Sequence, residues 1–269
     1  MNSVIKKQLS AALENFWFKD SSAINLGIYR IIFYFIAACI FYQTETALIP
    51  RLDEILYYPV LFYRLLGFSH QTVDGLALAR TLGIVSSGLA MIGLFTRTSM
   101  ALCFLSGFYL FSARYQYGFT HELESCFVIA LLIFASSSAG LVMSLDCRFR
   151  KRIKQSSYVG EFFWPIQLIR FTWCFLFFTA FVWKILSSGL QWFQYDMLKI
   201  FFLRFADYYA VLTRPTANIS LELRNLLISS EYLGIVLNLI TILLEATMPL
   251  AFAWLPWESF KNRFPAKTQ

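Results

Sequence analysis

Apolar residues fall in six long blocks along this chain, at roughly 24–43, 75–95, 98–113, 121–142, 162–186 and 232–255. Each approaches or reaches the roughly 20 residues that a helix needs to cross the hydrocarbon core of a bilayer. None shows the strict two-residue alternation of a membrane β-strand. The longest block, 162–186, reads FFWPIQLIRFTWCFLFFTAFVWKIL and carries two charges, Arg170 and Lys184. At 100° per residue, Arg170, Trp173, Phe177 and Lys184 fall in one narrow arc of the helix surface. In the second block Arg80, Gly83 and Ser87 share a face, which suits close packing against a neighbouring helix. In the last, Asn238, Thr241 and Glu245 form an i, i+3, i+7 row.

The segments between the blocks differ in character. Residues 1–23 read as an amphipathic lead-in with Lys6, Lys7 and Lys19. Residues 44–74 are too charged and too interrupted by proline to span. Tyr57, Tyr58 and Tyr63 around Pro59 suit the headgroup level. Residues 188–231 interleave Trp192, Tyr195, Phe201 and Tyr208 with Asp196, Lys199, Arg204 and Asp207, a pattern of helices lying in the interface. The expected fold is therefore all-α: a polytopic integral membrane bundle of about six transmembrane helices plus interfacial helices, in a single domain over 1–269. No repeat or low-complexity tract divides it.

Composition agrees. The chain is 58% hydrophobic and 14% charged, far from the usage of a soluble domain. The net charge of +7 sits largely in short clusters outside the apolar blocks, such as Arg148, Arg150, Lys151, Arg152 and Lys154. Such clusters report membrane orientation and do not call for nucleic acid. With the 148–154 loop in the cytoplasm, six spans place both termini there too, and the 112–120 connection on the opposite side. The lipid bilayer is the expected surroundings, with a membrane or redox protein as a candidate partner. The five cysteines show no CxxC spacing, so neither a metal site nor a disulfide framework is expected. The first apolar block lies behind Arg30, which does not fit a cleavable signal.

Three clusters are candidates for chemistry. Lys184 sits beside Phe181 and Trp183. A lysine enclosed by apolar helices has its charged form disfavoured, and a neutral amine is a usable general base. Near a helix end, the same side chain can instead snorkel to the headgroups. His121 opens the fourth block with Glu122, Glu124 and Ser125, either as a proton relay or as a hydrated helix start. Glu245 lies midway along its block, where a carboxylate must be paired or protonated. Arg30, Arg80 and Arg170 are its candidate partners. The chain has no HExxH, P-loop, GxSxG or dinucleotide fingerprint.

The order of these features resembles the HTTM membrane domain, the core of vitamin K-dependent gamma-carboxylase and its bacterial relatives. Gly93-Leu94-Phe95-Thr96-Arg97-Thr98-Ser99 resembles the family's Gly-x-x-x-Arg-x-Ser turn, and His121 a histidine opening a membrane helix. Ser144-Leu145-Asp146 resembles the Ser-x-Asp closing that helix. Trp164-Pro165 and the helix ending Ala180-Phe181-Val182-Trp183-Lys184 resemble a helix ending in Ala-Gly-x-x-Lys. Trp192 and Glu245 match a following tryptophan and a late intramembrane acid. The resemblance implies a quinone, in the carboxylase branch vitamin K hydroquinone, as ligand. It further implies Lys184 and His121 as catalytic residues. Glu245, Arg170, Arg80 and Trp183 are expected to bind the ligand. Phe177, Phe181 and Glu122 depart from the family's tyrosine, glycine and glycine. The chain stops soon after the Glu245 helix and shows no soluble peptide-binding domain. A full glutamyl carboxylase is therefore not expected. The alternative is a non-enzymatic membrane scaffold or partner subunit whose charges only lock helices together.

Overall fold

The computed structural model describes residues 21–44, 57–59, 61–66, 71–117, 122–141, 143–150, 159–189 and 229–261, with a few isolated positions besides. The lead-in at 1–9, the Lys151–Lys154 part of the basic loop, the 192–228 segment with Trp192, and the tail from 262 lie outside the described residues. So does His121. Every long element within them is helical: α1 Ala23–Gln43, α2 Leu61–Leu66, α3 Val73–Ile92, α4 Thr96–Tyr115, α5 Glu122–Ser136, α6 Leu145–Arg150, α7 Trp164–Ser188 and α8 Glu231–Lys261. The chain forms two compact units, 1–169 and 170–269.

Among the described residues, four helices are long and apolar enough to cross a membrane: Ala23–Gln43, Val73–Ile92, Trp164–Ser187 and Tyr232–Leu250. The other two expected spans are helical but fall short on one count each. Thr96–Tyr115 has the length but carries Arg97, Arg114 and several hydroxyls. Glu122–Ser136 is apolar but only 15 residues long. Its chain leaves helical geometry at Ser137, earlier than the expected end near 142, where serine hydroxyls turn back on the backbone. Ser137 Oγ donates to the Phe134 carbonyl at 2.8 Å and accepts from the Ala139 amide at 3.2 Å.

In the first unit, α3 packs against both α1 and α4, and α4 against α5. On α1 the buried residues are Leu26, Gly27, Arg30, Tyr34, Ala37 and Phe41, a stripe at helical spacing. It meets the buried face of α3: Leu76, Ala79, Gly83, Ser86, Ser87 and Ala90. Glycine at 83 permits the approach, since a Cβ there would lie 2.6 Å from the Phe41 ring. The face expected from Arg80, Gly83 and Ser87 is thus a helix contact. Phe33 stacks on Phe134 at 4.7 Å, and Phe41, Phe111 and Phe127 cluster below them. Phe162 and Ile166, at the start of α7, join the same core.

Helix ends use side chains. Ser22 and Thr72 cap α1 and α3, and α3 stops at Gly93, whose φ of 76° is the left-handed turn favoured by glycine. The 57–72 segment is tied to the far ends of α3 and α4. There the Tyr63 hydroxyl shares a 2.6 Å bond with Ser112, and Gln71 donates to Tyr63 at 2.9 Å and to the Tyr109 carbonyl at 3.1 Å. Tyr58 and Leu61 stay exposed, as suits an interfacial segment. Burial pushes the Tyr63 phenol up, whereas the Arg64 guanidinium draws the Tyr58 phenol down.

The Gly83 contact yields a direct prediction. Gly83→Ala forces its methyl into Phe41 and lowers the detergent melting temperature, by an equivalent of about 1–3 kcal/mol. Gly88→Ala is the control, because a Cβ at 88 meets nothing within 4 Å. It leaves stability unchanged or raises it slightly through helix propensity. Equal melting shifts for the two variants would contradict the packing described.

Candidate functional site

The second unit contains one buried ion pair among the described residues. Lys184 lies in the last two turns of α7, and its Nζ is 2.5 Å from Glu245 Oε1, about midway along α8. The two side chains are 18% and 9% exposed, so both charged ends are largely withdrawn from the surroundings. Glu245 Oε2 is buried and has no hydrogen-bond partner among the described residues.

The local sequence explains why these two groups find each other. Nearby hydroxyls on α8 serve their own backbone: Thr241 donates to the Leu237 carbonyl at 2.8 Å, and Thr247 to the Leu243 carbonyl at 2.7 Å. On α7, Thr179 donates to the Leu176 carbonyl and Ser187 to the Trp183 carbonyl. Such back-bonding is what short hydroxylated side chains do inside a helix. The long Lys184 and Glu245 side chains reach across to each other. Asn238, two turns before Glu245 on the same side of α8, is 2% exposed.

The remaining expected site residues go elsewhere. Glu245 takes none of the three arginines offered by the sequence as partner, because each has another place. Arg30 is wholly buried in the first unit and donates to the Ala139 and Met143 carbonyls, each at 2.6 Å. Arg80 donates through Nε to the Phe41 carbonyl at 3.1 Å and through a terminal nitrogen to the Tyr42 carbonyl, capping the C-terminus of α1. A helix end presents carbonyls without intrahelical partners and a partial negative charge, so a guanidinium is well placed there. Arg170 is exposed. It shares the Lys184 face of α7 but stands 14 residues, about 21 Å, away along the axis. Trp183 is 71% exposed, so the ring beside Lys184 in sequence turns away from the pair. The neighbours of His121 are described: Glu124 pairs with Arg114 at 2.5 Å, and Ser125 bonds Tyr115 at 2.5 Å.

A second constellation lies in the first unit, around the turn between α3 and α4. Asp146 Oδ1 accepts from the Phe95 amide at 2.9 Å, and its Oδ2 accepts from the Thr96 amide at 2.6 Å and the Thr96 hydroxyl at 2.8 Å. The Asp146 amide donates to the Gly93 carbonyl at 3.0 Å. Asp146 is therefore the N-cap of α4, supplied from 50 residues further along the chain. A Cβ at Gly93 would sit 2.4 Å from Ser144 Cβ and 3.2 Å from an Arg30 nitrogen. The Gly93–Ser99 and Ser144–Asp146 motifs thus meet, with Arg30 bracing the 139–143 backbone behind them.

Three buried groups escaped the sequence reading. Ser138 donates to Glu161. Gln116 is fully buried, with neither amide atom bonded among the described residues, and Gln167 is buried with its oxygen in the same state. Buried amides of this kind are the usual partners of internal water. Uncharged side chains at helix ends carry no periodic signal that would have marked them.

Chemically, the Lys184–Glu245 pair holds a proton between an amine and a carboxylate, with a second carboxylate oxygen ready to accept a further hydrogen bond. Glu245→Leu leaves the amine without its counter-ion, and stability falls by about 2–4 kcal/mol. Lys184→Leu combined with Glu245→Leu recovers most of that loss, because no lone charge remains. Thermal melting of purified single and double variants reads this; a double variant as unstable as the sum of the singles would contradict the pairing. Comparison with known protein families, curated proteins and solved structures finds no match for this chain.

Proposed function

We propose that the chain is a six-span membrane protein of the HTTM type that holds a quinone-like or lipidic ligand among its helices, with Lys184 and Glu245 as its proton-exchanging pair. The observation that carries the reading is Glu245 Oε2, a buried acceptor without a bonded partner among the described residues, on the carboxylate that holds Lys184. Polar atoms at membrane depth are costly unless partnered, and they mark binding and proton paths. A ligand hydroxyl fits that oxygen. A reduced quinone bound there would supply two-electron redox chemistry. The chain's own part is to hold a proton at Lys184 Nζ or a Glu245 oxygen and to exclude water with the apolar flanks of α7 and α8.

Helix packing supports a count of six, beyond the four helices that length and hydropathy mark among the described residues. A three-residue turn joins α3 to α4, and the two helices pack together, so α4 returns across the thickness that α3 crosses. Its 20 residues cover about 30 Å, the depth of the hydrocarbon core. The lower hydropathy of α4 reflects its enclosed position between α3 and α5, where hydroxyls replace lipid-facing apolar side chains. The motif pairing of Gly93 with Ser144, and of Asp146 with Thr96, supports the HTTM resemblance, because residues chosen for that resemblance meet in space.

A second reading is favoured by one fact: Lys184 and Glu245 neutralise each other's charge directly. On that reading the protein is a scaffold or partner subunit, and the pair is a lock between helices.

Two experiments separate these proposals. Lys184→Arg retains a cation, but guanidinium does not release its proton at working pH. The ligand reading predicts a folded protein that has lost ligand turnover or retention, read by mass spectrometry of the co-purified lipid extract. Full retention in Lys184→Arg, or an extract with no stoichiometric ligand, favours the lock. For topology, single cysteines at Tyr117 and Ser156, on a background without native cysteines, label from opposite sides of the membrane. Labelling of both from one side contradicts six spans with cytoplasmic termini.

A further inference from the structure

One end of the first unit displays a mixed apolar and cationic surface that the fold holds outward at a cost in backbone strain. Two non-glycine residues have left-handed backbone, Phe95 with φ 45° and Met143 with φ 52°. Residues with a Cβ avoid that region, and they persist in it where surrounding bonds dictate it. Here the bonds are known. The Asp146 carboxylate holds the Phe95 and Thr96 amides, and Arg30 holds the Met143 carbonyl. Phe95 points a large apolar side chain outward at 68% exposure, and Met143 is 51% exposed while its thioether lies over Gly27 of α1. Phe149, on α6 just beyond Asp146, is the most exposed of the three.

Two guanidiniums accompany them. Arg97 follows the strained turn in α4, and Arg148 lies on α6. Both are exposed, and neither side chain has a polar or aromatic partner among the described residues. The opposite end of the same unit is different: Arg114 is paired with Glu124, and Arg64 lies over the Tyr58 ring at 5.0 Å. Of the described carboxylates near the strained end, Asp146 is engaged by backbone amides and a hydroxyl, and Glu161 accepts from Ser138. This end therefore offers unneutralised positive charge beside exposed apolar surface. It closes α3, a helix long and apolar enough to cross a membrane, so it stands at a membrane–water interface.

We propose that this end is a binding site for an anionic phospholipid. Arg97 and Arg148 hold the headgroup phosphate, and Phe95, Met143 and Phe149 seat among the first carbons of the acyl chains. Charge complementarity selects an anionic over a zwitterionic lipid, since a guanidinium binds phosphate as a charged fork and a choline headgroup sets its own cation against it. The apolar trio is suited to the boundary between headgroup and acyl chain and would be costly in open water.

The test uses the full chain in detergent, equilibrated with mixed phosphatidylglycerol and phosphatidylcholine and read by native mass spectrometry. Wild type retains phosphatidylglycerol in preference to phosphatidylcholine. Arg97→Gln with Arg148→Gln lowers that preference by about tenfold, with no change in melting temperature because both side chains are on the surface. Phe95→Gly separates anchoring from folding. Glycine accepts the left-handed backbone, so this variant melts no lower than wild type but retains less lipid of either kind. A wild type with no preference for phosphatidylglycerol, or a double variant that keeps the preference in full, overturns the proposal. An acidic protein that co-purifies in stoichiometric amount and is lost in the double variant would also overturn it in favour of a protein partner.

Discussion

Hydrocarbon offers a buried polar group nothing to bond to, and this single constraint accounts for most of the polar placements in the chain. Arg30 lies seven residues inside α1, about 10 Å from its start, and is wholly buried. Its solution is two backbone carbonyls left open where the chain departs from α5. Arg80 does the same for the last carbonyls of α1. Serines and threonines fold back on their own helices. In each case a helix end that lacks partners and a side chain that lacks water supply each other.

The constraint also shapes the backbone. The α3–α4 turn needs Gly93 in a left-handed conformation and leaves the first amides of α4 open. Asp146 closes them from a distant part of the chain. The short α5 ends inside the unit, where the Ser137 hydroxyl takes its Phe134 carbonyl and Arg30 takes the Ala139 carbonyl just beyond it. Two ion pairs complete the set, and they differ in position. Arg114–Glu124 joins neighbouring helix ends beside a connection, where a structural bond suffices. Lys184–Glu245 joins two long apolar helices, and the second oxygen of that carboxylate has no hydrogen bond among the described residues.

Much of this was legible in the sequence, for identifiable reasons. The apolar blocks at 24–43, 75–95 and 162–186 fall on helices within a few residues, because bilayer thickness sets their length. The importance of Lys184 and Glu245 was visible from the cost of charge in an apolar run, yet their pairing was not. The sequence offered three arginines for Glu245 and no way to see that Arg30 and Arg80 are taken by carbonyls. Backbone acceptors carry no residue-type signal. The apolar block at 98–113 falls within α4, and the pattern misplaces the end of α5, where serines break the helix early. The Gly93 and Ser144 motifs were noticed separately; only the fold shows that one packs on the other.

The central claim is that Lys184 and Glu245 face each other across α7 and α8 within the bilayer. It is tested most directly by cysteines placed at both positions, with the native cysteines replaced, in membranes that have not been solubilised. Two long side chains span more than a disulfide can, so a short bifunctional thiol reagent is the appropriate probe. The account predicts an intramolecular cross-link, seen as retained linkage after proteolysis between the two helices, and none when the second cysteine is moved from 245 to the exposed position 243. Equal cross-linking from 243 and 245, or none from either, would contradict it.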